Sequence, residues 1–372
     1  MSSKMFKWLE TRFELSRVSS GANLRVMEGM RGFAVTLVFL THFCTLIAPW
    51  LADLPTLARF AAMIHTVGNT GVDLFFVLSG YLIYKTLVTR EQSFAGFMGR
   101  RIRRIYPAFF TVFLIYCLLS FVFPHQSSIP DGAPFSYLAA NLLLLPGLFP
   151  IKPMITVAWS LSYEMFFYLC LPWVISVLHL RHRHGCQRVV LIALATLGVV
   201  TWGALSDSTH VRMIMFMSGM LVHEAIHGRL VRAPSDAVAA GMLVTGLLVN
   251  LAPLAGYMKT SLMFVCFYLV CMNCFTSARG RLARIFCWTP LRWLGNMSYS
   301  YYLLHGLTLK AFFMVLPQSS VLAAHGIGGE TLFVVLLPIL FILTLLSSSV
   351  LFLLVERPLS LALPGMPVAV AS

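Results

Sequence analysis

The feature that most constrains this chain is a series of ten apolar runs, each close to the roughly 20 residues that carry one helix across a bilayer. The runs lie at approximately 28–50, 67–88, 105–124, 156–180, 188–205, 210–228, 236–256, 259–277, 294–316 and 331–355. Hydrophobic residues make up 59% of the 372 positions and charged residues 11%, against about 25% charged in an ordinary soluble chain. The sequence therefore predicts an all-α, polytopic integral membrane protein with about ten transmembrane helices.

An eleventh apolar stretch, FSYLAANLLLLPGLF at 135–149, is shorter than a comfortable crossing and is interrupted by Pro146 and Gly147. We interpret it as a re-entrant or interfacial segment. The first 25 residues mix acids, bases and aromatic residues, and they lack the apolar run and cleavage site of a signal peptide. This stretch is expected to be cytosolic and able to lie as a helix on the membrane surface.

The positions of Lys and Arg predict the topology, because short cytoplasmic loops retain basic residues. With the amino terminus inside and ten crossings, 22 of the 27 Lys and Arg residues fall in cytoplasmic segments. An eleventh crossing would move the loops RHRHGCQR and ARGRLARIFCWTPLRW to the outside. We therefore predict that both termini are cytoplasmic. The net charge of +14 is explained by these loops, so no nucleic-acid partner is expected.

Four of the apolar runs contain ionisable residues at middle or outer membrane depth. Arg31 opens the first run and His42 lies eleven residues later, about 16 Å along a helix. Asp73, Glu164 and His305 lie in three other runs. Each of them alone could be a structural interhelical hydrogen bond. Several at matching depth favour a functional site, in which a histidine acts as a base beside an orienting carboxylate.

The predicted loop before the third run carries four arginines within five residues, in the sequence FMGRRIRRIYPAFF. These residues are Arg100, Arg101, Arg103 and Arg104. Anchoring the topology accounts for part of this charge. Because the guanidinium fork matches phosphate oxygens, the group also indicates a phosphorylated ligand on the cytoplasmic side, at the level of Arg31.

Two motifs point toward metal chemistry. Residues 223–227 read HEAIH, which fits the H-E-x-x-H pattern of zinc metalloproteases and would place His223 and His227 on one helix face. No intramembrane aspartate with a glycine partner supplies a third ligand, so an intramembrane zinc metalloprotease is the alternative and not the main reading. Cys271 and Cys274 form a C-x-x-C in an apolar setting, where packing is the expected role. We predict no metal site.

Six stretches, taken in order along the chain, resemble the signature segments of the membrane acyltransferase-3 family. They are EGMRGFAVTLVFLTHF, GNTGVDLFFVLSGYLI, FMGRRIRRIYP, AWSLSYEMFFYL, LGNMSYSYYLLH and VERPLS. The resemblance implies a ten-helix enzyme of the bacterial inner (cytoplasmic) membrane that transfers an acyl group, usually acetyl from acetyl-CoA, to a sugar hydroxyl or similar acceptor. We accordingly expect a cytosolic segment at 1–26, a membrane acyltransferase domain at 27–360 and a short cytosolic tail at 361–372.

The resemblance also assigns residues. His42 matches the family's essential histidine and Arg31 its paired arginine. Asp73 and Glu164 match two acidic positions, and His305 matches the histidine after the S-Y-S segment. Many relatives carry a second acid directly after the position of Glu164, where this chain has a methionine.

We therefore expect an acyl-CoA donor, not a tightly bound cofactor, with its phosphates on the cytoplasmic arginines and its thioester reaching inward toward His42. His42, oriented by Asp73 or Glu164, would deprotonate the acceptor hydroxyl for direct attack on the thioester, with an acyl-histidine intermediate as the competing route. Asn69, Ser160 and Ser162 are expected to stabilise the oxyanion, and Trp159 and Tyr163 are expected to stack on sugar rings. His305 is a further expected substrate-binding residue.

Several properties stay open from the sequence. It does not select the acceptor among surface polysaccharides, lipopolysaccharide, exopolysaccharides and lipo-oligosaccharides, and it does not decide between acetyl and another acyl group or indicate the oligomeric state. A transporter is a further alternative, because charged residues inside spans also suit a substrate path. Inverted repeats, which are frequent in transporters, are not evident in the sequence.

Overall fold

The computed structural model describes residues 3–15, 22–206, 209–277, 280–318, 321–322 and 328–361. Regular structure in these residues is helical, apart from one isolated bridge between Pro146 and Phe149. The predicted tail beyond residue 361 lies outside the described residues. The helices are α1 (Ser3–Phe13), α2 (Ala22–Ile47), α3 (Pro55–Gly68), α4 (Thr70–Thr89), α5 (Phe94–Val122), α6 (Pro134–Leu142), α7 (Ala158–Val177), α8 (Gly185–Ser206), α9 (Ile214–His227), α10 (Asp236–Leu248), α11 (Gly256–Thr276), α12 (Arg281–Phe286), α13 (Thr289–Asn296), α14 (Ser298–Val315) and α15 (Gly329–Leu351), followed by a π-helix (Phe352–Leu361).

Seven helices of the described chain are long and apolar enough to cross a membrane. They are Asn23–Leu51, Pro55–Thr89, Phe94–Val122, Ala158–Val177, Gly185–Ser206, Gly256–Thr276 and Gly329–Leu361. The prediction of an all-helical, polytopic membrane protein is therefore confirmed.

The predicted number of ten crossings exceeds these seven, because three predicted runs fall on α9, α10 and α14, which are not among the seven. Helix α9 has 14 residues and follows a 3-10 turn, whereas α10 has 13 residues and is followed by one. A 14-residue helix rises only about 21 Å, less than the hydrocarbon thickness of roughly 30 Å. Crossings by these three segments stay a prediction.

The eleventh apolar stretch begins with α6, whose nine residues rise about 13 Å and are too few to span. The chain then turns at Gly147, which has a φ of +93°. A Cβ atom there would lie 2.6 Å from the carbonyl oxygen of Trp159, so only glycine fits both the conformation and the space. The helix ends at Leu142, before the proline and glycine that interrupt the apolar pattern, and the turn at Gly147 then brings the chain against the start of α7.

The chain divides into two compact units. The first comprises Met1–Glu91, Trp173–Ser298 and Val315–Leu337, and the second comprises Gln92–Pro172, Tyr299–Met314 and Pro338–Ser372. Helices α2, α3, α4, α9 and α13 form the centre of the first unit, where α2 packs against α3, α4 and α13. Helix α5 packs against the π-helix in the second unit.

Within the first unit, α4 and α9 cross with their backbones in direct contact. A Cβ atom on Gly80 would clash with the backbone of Phe216, and one on Gly219 would clash with the carbonyl oxygen of Val77. Small residues at such crossings let apolar helices approach closely, which increases van der Waals contact where lipid supplies no hydrophobic driving force. The crossing sets the position of α4, the helix that carries Asp73.

The amino-terminal helix α1 is fixed to the first unit by polar contacts next to its end. The buried Arg292 of α13 donates to Glu28 Oε2 at 2.9 and 3.0 Å and also pairs with Glu14. Trp293 Nε1 donates to Glu14 at 3.0 Å, and the Asn296 amide donates to the carbonyl of Phe13. Arg292, counted above only as a topology marker, therefore also joins α1 to α2 and α13.

Candidate active site

The first predicted pair lies on one unbroken helix. Arg31 and His42 both belong to α2, eleven residues and about 16 Å apart, and both are half-buried. The neighbour of His42 on the chain, Thr41, donates from Oγ1 to the carbonyl of His65 at 3.2 Å. His65 lies in the last turn of α3. His65 has no distinguishing sequence signal, because a histidine at the end of a short helix carries no pattern of its own.

Asp73 is fully buried in the first turn of α4 and is held by an arginine. Arg212 donates from Nε to Asp73 Oδ1 at 2.9 Å and from Nη2 to Oδ2 at 2.6 Å. The same Nη2 donates to the backbone carbonyl of Asn69 at 3.0 Å. The structure therefore brings two predicted residues, Asp73 and Asn69, together around a third that the sequence analysis missed. The available signal was that Arg212 is one of five basic residues outside the predicted cytoplasmic segments.

In the second unit, Glu164 is linked to the arginines of α5 through a tyrosine. Tyr168, one turn further along α7, donates its hydroxyl to Glu164 Oε1. The guanidinium of Arg101 lies 5.7 Å from the centre of the Tyr168 ring and 5.5 Å from that of Phe97. These contacts form a continuous path from a cation to a carboxylate, so the predicted catalytic acid Glu164 lies next to predicted donor-binding residues.

The other arginines of α5 are engaged differently. Arg104 Nη1 donates to Glu356 Oε1 at 2.6 Å, and its guanidinium lies 5.7 Å from the centre of the Tyr299 ring. Arg103 Nε donates to the carbonyl of Leu359 at 3.1 Å, while the exposed Arg100 contacts the side-chain oxygen of Gln92. Two of the four guanidinium groups are thus bound by the π-helix.

Glu356 is buried completely and receives three hydrogen bonds. Besides Arg104 on Oε1, Ser300 donates to Oε2 from its backbone nitrogen at 3.0 Å and from its hydroxyl at 2.6 Å. Tyr299, which neighbours Ser300, donates its hydroxyl to the carbonyl of Ile105 at 2.8 Å. Glu356, Tyr168 and Tyr299 were not assigned roles from the sequence, although Glu356 lies in the VERPLS segment quoted above.

The start of α7 and the middle of α14 meet through tyrosine and serine hydroxyls. The Ser160 and Tyr302 hydroxyl oxygens are 2.7 Å apart, and Tyr302 also donates to the carbonyl of Val157 at 3.2 Å. The buried His305, one turn later on α14, has Nδ1 2.9 Å from the carbonyl oxygen of Tyr301. These contacts hold two of the predicted substrate residues, Ser160 and His305, on helices that are joined directly.

Three other predicted substrate residues have local contacts. The rings of Trp159 and Tyr163 meet edge to face with centroids 5.7 Å apart. Ser162 donates its hydroxyl to the carbonyl of Ala158 at 3.3 Å, the common bond of a serine inside a helix. The rings of Trp159 and Tyr163 therefore pack against each other, and their contact with a sugar stays a prediction.

The H-E-x-x-H segment forms the end of α9, with the His223 and His227 rings stacked 5.4 Å apart. Glu224 is buried, accepts from the Tyr84 hydroxyl at 2.6 Å and pairs with Arg188 Nε at 2.9 Å. Because Glu224 is paired with Arg188, its contacts are those of a structural ion pair and not those of a base beside a metal. Among the residues that the structure describes, no group of three or more His, Cys, Asp or Glu side chains could hold a metal ion.

All eight cysteines lie in the described part of the chain, where they are free thiols. Cys271 and Cys274 are both buried inside α11. Both thiols therefore pack in the interior of the first unit.

Comparison with known proteins agrees with this architecture. A family profile described as an acyltransferase domain, of the acyltransferase-3 family, matches residues 25–353. The O-acetyltransferase OatA of Staphylococcus aureus is 30% identical over 218 residues, covering 54% of this chain and 32% of the relative. The acyltransferase MdmB of Streptomyces mycarofaciens is 29% identical over 184 residues, covering 47% of this chain and 46% of the relative.

A third relative, the putative membrane-bound transacylase BcsY of Komagataeibacter xylinus, is 27% identical over 307 residues, covering 76% of this chain and 72% of the relative. The chain thus spans about a third of the length of OatA and about half that of MdmB. No solved structure matches the chain. Because the family profile extends over most of the chain and the helices carry the segments that the sequence analysis identified, the chain belongs to the acyltransferase-3 family of multi-pass membrane proteins.

Proposed function

We propose that this chain is a membrane O-acyltransferase that moves an acyl group, acetyl in the simplest case, from cytoplasmic acyl-CoA to a hydroxyl of a carbohydrate acceptor. The observation that carries the proposal is the path from Arg101 through Tyr168 to Glu164. The path joins Arg101, which is suited to an anionic donor, with the half-buried carboxylate of Glu164, which is suited to proton transfer. The family match over residues 25–353 supports the same reaction class.

The donor would bind by its phosphates to the arginines of α5, because guanidinium groups pair with phosphate oxygens through two parallel hydrogen bonds. Arg31 on α2 is proposed as a further donor contact, about three turns before His42 on the same helix. The acyl-CoA is a co-substrate and not a resident cofactor. It would reach these residues from the cytoplasm if both termini face inward, as the distribution of basic residues predicts.

The proposed chemistry is acyl transfer with His42 as general base. His42 takes the proton of the acceptor hydroxyl, the hydroxyl oxygen attacks the thioester carbonyl, and the carbon–sulfur bond breaks as the ester bond forms. The proton then passes to the departing thiolate, which leaves as coenzyme A. An acyl-histidine intermediate is the competing sequence of the same bond changes. Asp73 and Glu164 are the proposed carboxylates, and Ser160, Ser162 or Asn69 would stabilise the oxyanion.

The acceptor is proposed as a carbohydrate hydroxyl, which Trp159 and Tyr163 would contact by stacking while His305 borders the same region. The similar proteins carry names that describe O-acetyl transfer, acyl transfer and transacylation, which are reactions of one class on different acceptors. Cell-surface polysaccharides and lipo-oligosaccharides are the acceptors that we propose to test first.

The test uses the full chain in detergent or nanodiscs with radiolabelled acetyl-CoA and extracted cell-surface glycans. Label should enter the glycan fraction, and mass spectrometry should find one added acetyl mass. His42→Ala should abolish transfer without loss of folded protein, while His182→Ala, a substitution of an exposed histidine, should leave it unchanged. Transfer that survives His42→Ala, or wild-type protein that moves no acetyl group to any glycan, would refute the proposal.

A further inference from the structure

We propose that Glu356 is a positioning residue that takes Arg104 out of donor binding and fixes the first turn of α14, which leaves Arg101 as the principal donor ligand among the four arginines. The inference rests on the proposed function, because it divides roles within the arginine group of the donor site. It concerns residues of the second unit alone.

The first step is the hydrogen bonding of Glu356. Its side chain is fully buried, Oε1 accepts from Arg104, and Oε2 accepts from the backbone and hydroxyl of Ser300. A buried carboxylate is tolerated when it is paired and its oxygens are hydrogen-bonded, and both conditions are met. Ser300 is the third residue of α14, where backbone nitrogens have no partner within the helix. Glu356 thus caps this helix while it neutralises an arginine.

The second step is that Arg104 is a poor ligand for a phosphate. Its side chain is 23% exposed, its charge is paired with the buried Glu356, and its guanidinium rests against the ring of Tyr299. A phosphate that bound the other N–H groups of Arg104 would meet a guanidinium whose charge is already shared with Glu356, and a phosphate that drew Arg104 away would leave a buried carboxylate without its cation. Such a carboxylate is strongly destabilising, so Arg104 remains with its internal partner.

The environment of Arg101 differs from that of Arg104. Its guanidinium packs on the faces of Phe97 and Tyr168, and its Nε is buried without a hydrogen-bond partner among the described residues. A buried donor without a partner carries a desolvation cost that an arriving anion can remove. The aromatic faces also hold the planar group in one orientation, which reduces the entropy lost when a phosphate binds.

Helix α14 connects Glu356 with residues that are proposed to act in turnover. Helix α14 carries Tyr302, whose hydroxyl contacts Ser160, and it also carries His305. Tyr299 of the same helix donates its hydroxyl to the carbonyl of Ile105 on α5. A shift of the first turn of α14 would therefore reach proposed substrate residues without any contact between Glu356 and the substrate.

The experiment compares Arg101→Gln, Arg104→Gln, Glu356→Gln and the double variant Arg104→Gln with Glu356→Gln, all purified as the full chain in detergent. Coenzyme A is the binding probe, acetyl-CoA turnover is measured per folded molecule, and thermal unfolding is recorded for each protein. Arg183→Gln removes an exposed basic residue of the first unit and is the matched control.

We expect Arg104→Gln and Glu356→Gln each to lower the unfolding temperature. The double variant should recover much of the loss, because no buried charge is then left without a partner. The double variant should keep its Kd for coenzyme A within about twofold while turnover falls roughly tenfold. Arg101→Gln should raise the Kd at least about tenfold. Arg104→Lys, which preserves the charge opposite Glu356, should retain most of the turnover.

The inference is overturned if the double variant weakens coenzyme A binding as much as Arg101→Gln does, or if the two substitutions show no coupling in thermal unfolding. Failure of the proposed function would look different, since wild-type protein would then bind no coenzyme A. The two outcomes are separated by the wild-type measurement.

Discussion

Arg212 binds both carboxylate oxygens of Asp73, with Nε 2.9 Å from Oδ1 and Nη2 2.6 Å from Oδ2. The two residues are 139 positions apart in the sequence, and Asp73 is buried completely. A planar guanidinium that meets a carboxylate at two points fixes its orientation as well as its charge. Asp73 is therefore held in one orientation at the start of α4.

The first prediction concerns this pair. Arg212→Gln should lower the free energy of unfolding by about 3–5 kcal/mol, because a buried carboxylate then lacks its cation. Adding Asp73→Asn should recover much of the stability without recovering acetyl transfer, since the proposed catalytic carboxylate is gone. Thermal unfolding and the transfer assay measure the two effects. The exposed Arg59→Gln is the control, and full activity in the double variant would exclude a chemical role for Asp73.

The second prediction separates the hydroxyl of Tyr168 from its ring. Tyr168→Phe removes the hydrogen bond to Glu164 but keeps the face under Arg101, so turnover should fall about tenfold while coenzyme A binding is unchanged. Tyr168→Leu removes the ring as well and should also weaken coenzyme A binding.

Tyr106→Phe is the matched control for Tyr168, because the Tyr106 hydroxyl also donates a hydrogen bond in the second unit, but to a backbone carbonyl, that of Leu142. It should leave both turnover and binding close to wild type. Equal effects of the Phe and Leu substitutions at Tyr168 would argue against the path from Arg101 to Glu164.

The third prediction tests the HEAIH segment. Glu224→Gln should destabilise the protein, because Arg188 and Tyr84 lose an ionised acceptor, but the folded fraction should retain acetyl transfer. Wild-type transfer should also be unaffected by a zinc chelator. Peptide cleavage that disappears in Glu224→Gln, together with zinc in the purified protein, would instead support the metalloprotease alternative.

The fourth prediction concerns the crossing of α4 and α9. Gly219→Ala should cost about 1–3 kcal/mol of stability, because the added methyl group meets the carbonyl oxygen of Val77 and the helices must separate. Gly198→Ala has nothing within 4 Å of the added atom and should be neutral, or stabilising by up to about 1 kcal/mol through helix propensity. Thermal unfolding of both variants in the same detergent checks the difference. Equal stability would show that the crossing tolerates a wider spacing.

Much of the architecture followed from local properties of the sequence. The long apolar runs predicted the helices, because a bilayer rewards uninterrupted apolar segments and requires every backbone group to bond within its own helix. The placement of Arg31 and His42 on one helix followed for the same reason, since the largely apolar residues between them contain no proline. The number of crossings was less secure, because α9 and α10 are shorter than the apolar runs that contain them.

The partners of the polar residues were decided by the tertiary structure. Asp73 could be placed near the start of a helix, but its pairing with Arg212 depends on how closely α4 and α9 cross. Four arginines in five residues look alike in sequence, yet packing against the π-helix gives Arg104 a buried carboxylate 252 positions away and leaves Arg101 on aromatic faces. Hydropathy and charge act on each segment by itself and can be read along the chain. Ion pairs between distant segments arise only where helix packing brings side chains to within a few ångströms, and that geometry is a property of the folded protein.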